Sequence, residues 1–245
     1  MSGPLGRPRL HLRLVDSTNL RARKLALSGA PHGTLVTADA QSAGRGRQGR
    51  RWSAPTGSSL LMSIVLRPDE QAFATLPLLA AVAICDITGP ETLVKWPNDI
   101  VLADARAPRL AKLAGVLVEG RPQQGWAVLG IGVNVAVRLE ELPAELRPTA
   151  ATLGRPRTAI EPLLSELLAA LERRLEGPPA QTLDAWRTRD ALRGSEIAWG
   201  DGHGRADGID DAGRLLVRLP DGARTALAAG EVHLRALAPA TPASS

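Results

Sequence analysis

Polar and apolar positions along the chain first fall into short strand-like runs broken by two helical stretches. His11 to Val15 alternates polar and apolar residues and predicts a strand. Asp16-Ser17-Thr18-Asn19 follows, then Leu20 to Ser28 at helical composition, closed by Gly29. Any of the four polar residues can cap a helix by accepting from an orphan backbone N–H; a binding role for Ser17 and Thr18 requires them to face a ligand as well. Thr34 to Asp39 and Leu60 to Leu66 predict two more strands, and Phe73 to Thr88 a helix. Within it, Leu76 to Ile87 is too short an apolar run to span a bilayer and reads as buried. Thr92 to Trp96 and Ile100 to Leu102 are short strands separated by Pro97-Asn98-Asp99, where proline interrupts the ladder.

The second half continues with a polar turn, Ala103 to Leu110, and a strand, Lys112 to Glu119, that contains Gly115. Trp126 to Val137 is a continuous apolar strand interrupted by Gly130 and Gly132, with Asn134 as its one polar residue. Glu140 to Arg157 is proline-rich and irregular. Thr158 with Glu161 has the spacing of a capping box, and Leu163, Leu164, Leu167, Leu168, Leu171 and Leu175 mark a helix to Gly177. A short helix carries Leu183 and Trp186. From Gly194 onward the texture changes to short alternating runs (Ser195 to Trp199, Arg214 to Leu219, Ala223 to Leu227, Glu231 to Leu237) separated by turns such as Asp221-Gly222, the pattern of a small all-β barrel. Such a piece buries too little surface to be secure alone and should dock on the larger domain. The expected division is 1–190 for the larger domain, 191–237 for the barrel and 238–245 for a disordered tail.

Composition narrows the class without choosing a function. At 245 residues, 44% hydrophobic and 22% charged, the chain is an ordinary globular protein of one sizeable domain and a small one. Only 2% of residues are aromatic, so the core must be built from Leu, Val, Ile and Ala. Met1 to Arg13 has no apolar run of the kind a secretory signal needs. The single cysteine, Cys85, sits in an apolar stretch and cannot form an internal disulfide. A cytoplasmic protein without a membrane anchor is the expectation. The net charge of +5 raises a nucleic-acid-binding module as one class of function, but the densest basic run lacks the interleaved aromatics that stack on bases.

That basic run, Gln41 to Trp52 (QSAGRGRQGRRW), holds Arg45, Arg47, Arg50 and Arg51 among Gly44, Gly46 and Gly49. Arginine offers a planar fork of donors for carboxylate or phosphate, and glycine lets the backbone approach a ligand closely. The three glycines spell G-x-G-x-x-G, yet a dinucleotide fingerprint needs a helix after the last glycine. Here Pro55, Gly57 and a strand follow, so the Rossmann reading fails. The phosphate-loop reading fails too, for want of G-K-[ST]. What remains is a loop between two strands, suited to closing over a small anion.

Three further positions invite chemistry. Asn98 and Asp99 at a proline break can turn polar groups inward or form a plain turn, and Lys95 flanks them. Lys112 opens a strand whose Gly115 marks a bulge or a close backbone approach. Asn134, amid apolar neighbours, must find backbone or ligand partners, because an unsatisfied buried amide costs roughly 1–3 kcal/mol.

Taken together, these segments resemble the biotin protein ligases (biotin–[acetyl-CoA carboxylase] ligases). The carriers of the resemblance are Asp16-Ser17-Thr18-Asn19, the Gln41 to Trp52 loop, Lys95-Trp96-Pro97-Asn98-Asp99, Lys112 to Glu119 (KLAGVLVE) and Gly130 to Asn134 (GIGVN), with Gly208-Ile209-Asp210 and Gly230-Glu231 fitting an SH3-like C-terminal domain. It extends over about Leu10 to Leu237. The implied fold is α+β: a mixed β-sheet catalytic domain of the biotin/lipoate ligase type packed with helices, plus a small C-terminal SH3-like β-barrel.

The resemblance also implies a reaction. Biotin and ATP, as its magnesium complex, would give biotinyl-5′-AMP and pyrophosphate, and the biotinyl group would pass to a lysine of a biotin carboxyl carrier protein. It implies biotin contacts from Ser17, Thr18, Asn19, Gln41, Gly44, Arg45, Gly46, Arg47, Lys112 and Gly115. ATP or adenylate contacts are implied for Arg45, Arg47, Arg50, Trp52, Lys95, Asn98, Lys112 and Asn134. Lys112, Arg47 and Asp99 would be catalytic, with Asp99 receiving the proton of the attacking lysine. The metal ligands are unassigned. Only Met1 to Val15 precede the first motif, so neither a winged-helix domain, repressor function nor specific DNA binding is expected; oligomeric state, a homodimer included, stays open. Two departures stand out: the Ala103 to Arg109 turn is longer than usual, and Gln48 replaces an arginine found in some members. Lipoyl or octanoyl transferases share the catalytic fold, but they lack the SH3-like tail and the G-R-G-R-x-G loop.

Overall fold

The computed structural model describes residues 4–103, 110–200, 202–228, 230 and 232–234. The turn expected at Ala103 to Leu110, apart from those two residues, lies outside this set. So do the tail from Ala238 and most of the strand expected over Glu231 to Leu237. In chain order the elements are β1 (Arg9–Val15), α1 (Thr18–Leu27), β2 (Leu35–Gln41), β3 (Ser59–Leu66), α2 (Glu70–Thr88), β4 (Thr92–Lys95), β5 (Asp99–Ala103), β6 (Leu110–Arg121), β7 (Trp126–Asn134), α3 (Ile160–Glu176), α4 (Pro179–Thr188), β8 (Glu196–Trp199), β9 (Gly202–Ile209), β10 (Leu215–Arg218), β11 (Arg224–Leu227) and β12 (His233–Leu234).

The first seven strands make one mixed sheet in the order β1-β2-β3-β7-β6-β5-β4. β1 and β2 run parallel, joined by α1 as a crossover helix, and the other neighbours are antiparallel. Because strand side chains alternate faces, β3 divides its apolar residues between two layers. Leu60, Met62 and Ile64 join the main core with α2, α3 and α4, while Val65 packs with Val36, Val128 and the Ala22–Ala26 stripe of α1. α1 is short and covers only part of its face. The uncovered remainder holds the cavity described below.

The expected capping box at Thr158 does not form. Arg157–Ala159 is a 3₁₀ turn, α3 starts at Ile160, and its N-cap residue Ala159 has no side-chain bond to offer. The Glu161 carboxylate is instead engaged in a two-pronged pair with Arg9 at 2.6 and 2.8 Å, tying α3 to the edge strand β1.

The C-terminal strands form a second, antiparallel sheet in the order β11-β10-β9-β8-β12. Among the described residues it is open rather than closed on itself. β9 is absent from the sequence expectation: its run GHGRADGI is too rich in glycine and charge to read as a strand, and pairing on both sides compensates. This sheet docks as expected. Ile197, Ala206, Ile209, Leu215, Val217 and Val232 belong to the same apolar cluster as α2 and α4. The Trp96 indole donates to the Gly213 carbonyl at 3.0 Å, and the segment leaving α4 pairs with β4 through Val94 N to Arg189 O and Ala191 N to Val94 O.

Candidate active site

A cavity of about 400 Å³ lies on the α1 side of the large sheet, within the range of about 300–1,000 Å³ usual for small-molecule sites. Its floor is β3, β6 and β7, and its roof is the glycine–arginine loop. Of the residues singled out from the sequence, Ser17, Thr18, Asn19, Gln41, Arg45, Gly46, Arg47, Arg50, Trp52, Lys95, Asn98, Asp99, Lys112, Gly115 and Asn134 line it. Gly44 does not.

The loop is a small hairpin. Trp52 N donates to Gly44 O at 3.0 Å and Gly46 N to Arg50 O at 2.8 Å, with a bridge between Arg45 and Arg51. Its tip needs two left-handed residues, Gln48 at φ 54° and Gly49 at φ 76°. Gly44 serves this closure: a Cβ there would strike the Trp52 carbonyl. The hairpin projects Trp52 down onto β7, where a Cβ on Gly132 would lie 2.6 Å from the indole Cε2. Gly130, on the same face, makes room in the same way for the Asn19 carboxamide. The two glycines that interrupt this strand are therefore the seats of two other side chains.

One end of the cavity is a chain of polar groups. The Thr18 N–H and hydroxyl both donate to Gln41 Oε1, at 2.8 and 3.1 Å. The first turn of α1 is thus capped from β2, and Ser17, the N-cap residue, makes no side-chain capping bond. The Ser63 hydroxyl sits 2.6 Å from Asn19 Oδ1 and 2.8 Å from Thr18 Oγ1, and Asn19 Nδ2 donates to Glu119 Oε2 at 2.9 Å. Glu119 Oε1 lies 3.3 Å from Arg45 Nη2, which closes the chain onto the roof. Ser63 and Glu119 were not among the candidates. Ser63 carried a signal, as a hydroxyl facing the cavity side of an apolar strand; Glu119 could be read only as the end of its strand.

The other end is cationic. Lys112 Nζ stands 2.6 Å from Asp99 Oδ1 and 5.7 Å from the Trp52 ring centroid, close enough for a cation–π attraction. A bulge brings this about. On a regular strand Lys112 and Gly115 would face opposite sides, but pairing slips so that Val101 opposes Lys112 while Asp99 opposes Gly115. The extra residue turns Lys112 to the Gly115 face, and the missing Cβ leaves room for the lysine, whose Cε would lie 3.1 Å away. Asn98 is held by Nδ2 to Val116 O at 2.7 Å and accepts from Arg47 Nη1 at 3.4 Å. Arg47 Nη2 also reaches the carbonyl of Gly230, between β11 and β12, at 3.5 Å. Asn134 finds backbone: Nδ2 donates to Ala151 O at 2.9 Å, and Oδ1 lies 3.4 Å from Ser59 Oγ. The Trp52 indole N–H is buried without an acceptor among the described residues.

Residues 12–135 match the biotin/lipoate A/B protein ligase family, and residues 200–235 match the biotin protein ligase C-terminal domain. The chain belongs to the biotin protein ligases of that family. Relatives agree along nearly the whole length. The biotin–[acetyl-CoA-carboxylase] ligase of Paracoccus denitrificans is 35% identical over 90% of this chain and 98% of its own. That of Mycobacterium tuberculosis is 36% identical over 90% and 87%. The biotin protein ligase of Aquifex aeolicus, solved in complex with biotin and ATP, superposes with a TM-score of 0.72 at 28% identity, covering 94% of this chain and 99% of that one. For this ligase-family chain, the second match separates the biotin branch from lipoyl transfer. No helix among the described residues is long and apolar enough to cross a membrane.

Proposed function

We propose that the protein joins biotin to ATP as biotinyl-5′-AMP and then passes the biotinyl group to the ε-amine of a lysine on a biotin carboxyl carrier protein. The observation that carries this reading is the position of Lys112. It lies over Gly115 at the cationic end, with Lys95, Asn98 and Arg47, of a cavity whose other end is built from the hydrogen-bonding side chains of Ser17, Thr18, Asn19 and Gln41. A carboxylate and an α-phosphate repel one another, so a fixed cation is needed where they meet. In this reading the ureido ring of biotin lies at the hydrogen-bonding end, beneath Arg45 and Gly46. Its carboxylate oxygen attacks the α-phosphorus beside Lys112 and Arg47, and the bond to the β-phosphate breaks to release pyrophosphate. Arg50, the Trp52 indole and Asn98 take the nucleotide, while Asn134 acts by anchoring the 149–151 segment at the cavity wall.

The mixed anhydride is lost if water reaches it, which gives the hairpin roof its task. The acceptor amine then attacks the carbonyl carbon and AMP departs with the bonding electrons. The proton shed by the amine goes to Asp99, which the binding of anions by Lys112 leaves free to accept it. Magnesium would enter on the ATP phosphates as part of the substrate. Residues 1–190 would carry this chemistry and 191–237 would support it.

The test is incubation of the protein with ATP, biotin and a carrier domain. A carrier heavier by one biotinyl group, with stoichiometric AMP, is the expected result. Failure to form AMP with all three present defeats the reading.

A further inference from the structure

Across the second sheet, Arg205 on β9, Arg218 on β10 and Arg224 on β11 occupy directly opposed positions. Their alternate neighbours Ala206 and Val217 are buried, so the three guanidinium groups share the solvent face. Strands lie about 4.8 Å apart, and like charges directly opposed weaken a sheet. One carboxylate partly offsets them: Asp207 Oδ2 lies 3.4 Å from Arg218 Nη2 and 3.7 Å from Arg224 Nη2. Arg205 has no ion-pair partner among the described residues, although Glu196 stands opposite it on β8. Arg193, from the segment leading into β8, joins Arg205 and Arg218 around a cavity of about 240 Å³. A surface arranged for stability alone would alternate signs along such a row.

We infer that this arginine row is a docking surface for the acidic face of the protein that receives the biotinyl group. Chain length limits how far the row lies from the active site. Gly230 touches Arg47 in the cavity, and Arg224 precedes it by six residues, so they are at most about 21 Å apart. An acceptor domain of about 80 residues is roughly 30 Å across; with its lysine in the cavity mouth, its flank reaches the row. Charge complementarity then favours carboxylates on that flank. The same face offers Ala198, His203, Leu216, Ala226 and His233 at its other paired positions, with no indole or phenyl ring among the described residues there for a base to stack on, which favours a protein over a nucleic acid.

The inference rests on the ligase reading, and the experiment separates the two. In the full chain, Arg205→Ser, Arg218→Ser and Arg224→Ser are combined, with a second triple variant carrying lysine at these positions. Biotin-dependent pyrophosphate exchange needs no acceptor and should match the parent. The KM for an isolated carrier domain should rise about tenfold at low salt, with kcat retained, and converge with the parent near 0.5 M salt, because surface charges act through steered encounter that ions screen. The lysine triple should restore most of the difference. The serine triple should melt at or above the parent temperature, since repulsion is removed. An unchanged KM overturns the inference, and loss of retention on a 20-base-pair duplex alongside that unchanged KM reassigns the row to nucleic acid. Absence of exchange in the parent itself would instead defeat the ligase reading.

Discussion

Lys112 Nζ and Asp99 Oδ1 lie 2.6 Å apart across β5 and β6, so the two residues assigned to successive half-reactions hold each other before substrate arrives. Their separation by chemistry is testable. Lys112→Ala should reduce biotin-dependent pyrophosphate exchange by the equivalent of about 2–4 kcal/mol, as loss of a charge-stabilising donor does. Asp99→Asn should leave exchange nearly intact and depress transfer to the carrier, most steeply at low pH where the amine is protonated. Equal losses in both half-reactions for Asp99→Asn would remove it from proton acceptance.

Gly132 is the seat of Trp52. Gly132→Ala places a Cβ 2.6 Å from the indole Cε2 and 2.9 Å from Cζ2, and Gly132 has no positive φ to strain. The ring must therefore move while the strand stays. Exchange should fall about tenfold to a hundredfold, the scale on which small misplacements act, with far-UV circular dichroism unchanged. Full activity in Gly132→Ala would show that the indole position is irrelevant to the nucleotide.

Glu119 fastens the roof to the floor through Arg45 and Asn19. Arg45 is 41% exposed, so the pair contributes about 0.2–1 kcal/mol. Glu119→Gln should accelerate trypsin cleavage at the loop arginines roughly two- to fivefold without ligand. Biotin with ATP should slow cutting in both proteins. Identical cutting rates for the two unliganded proteins would mean that the pair does not govern opening.

Asp190 sits in the segment that pairs with β4, with Oδ1 accepting from Leu192 N at 2.9 Å and a buried Oδ2 that has no hydrogen-bond partner among the described residues. Burial pushes its carboxyl above the usual range against the pull of backbone donors and Arg193. The folded state then keeps the proton to higher pH than the unfolded chain. Its stabilising share is complete below the ordinary carboxylate value of 3.8 and is lost as pH rises through the raised one. Asp190→Asn should accordingly raise the melting temperature at pH 7 and lose that advantage near pH 4. A gap independent of pH would show that ionisation is not the cause.

Much of the site could be read in one dimension because its chemistry is clustered in short motifs. Arg45, Arg47, Arg50 and Asn98 are each adjacent to a glycine or proline that signals an irregular backbone, and Lys112 lies three residues before Gly115. What could not be read is what depends on partners far away in sequence. Ser63 matters because Asn19 lies against it, and Glu119 because Arg45 folds over it. The slip that turns Lys112 toward Gly115 exists only in the pairing of β5 with β6. The Thr158 capping box failed for the same kind of reason: Arg9, about 150 residues away, takes the Glu161 carboxylate. β9 escaped notice because neighbouring strands, not its own composition, make it a strand.

The Trp96–Gly213 bond has a consequence for how the molecule can be divided. The indole that holds the small sheet belongs to the same five-residue motif as Asn98 and Asp99, so prising that sheet away would tug on the very turn that presents them. Deleting the C-terminal quarter would strip apolar side chains from α2 and unseat a corner of the cavity in a single cut. The chain is better viewed as one mechanical body with a graft-resistant seam than as a catalytic module bearing a detachable accessory.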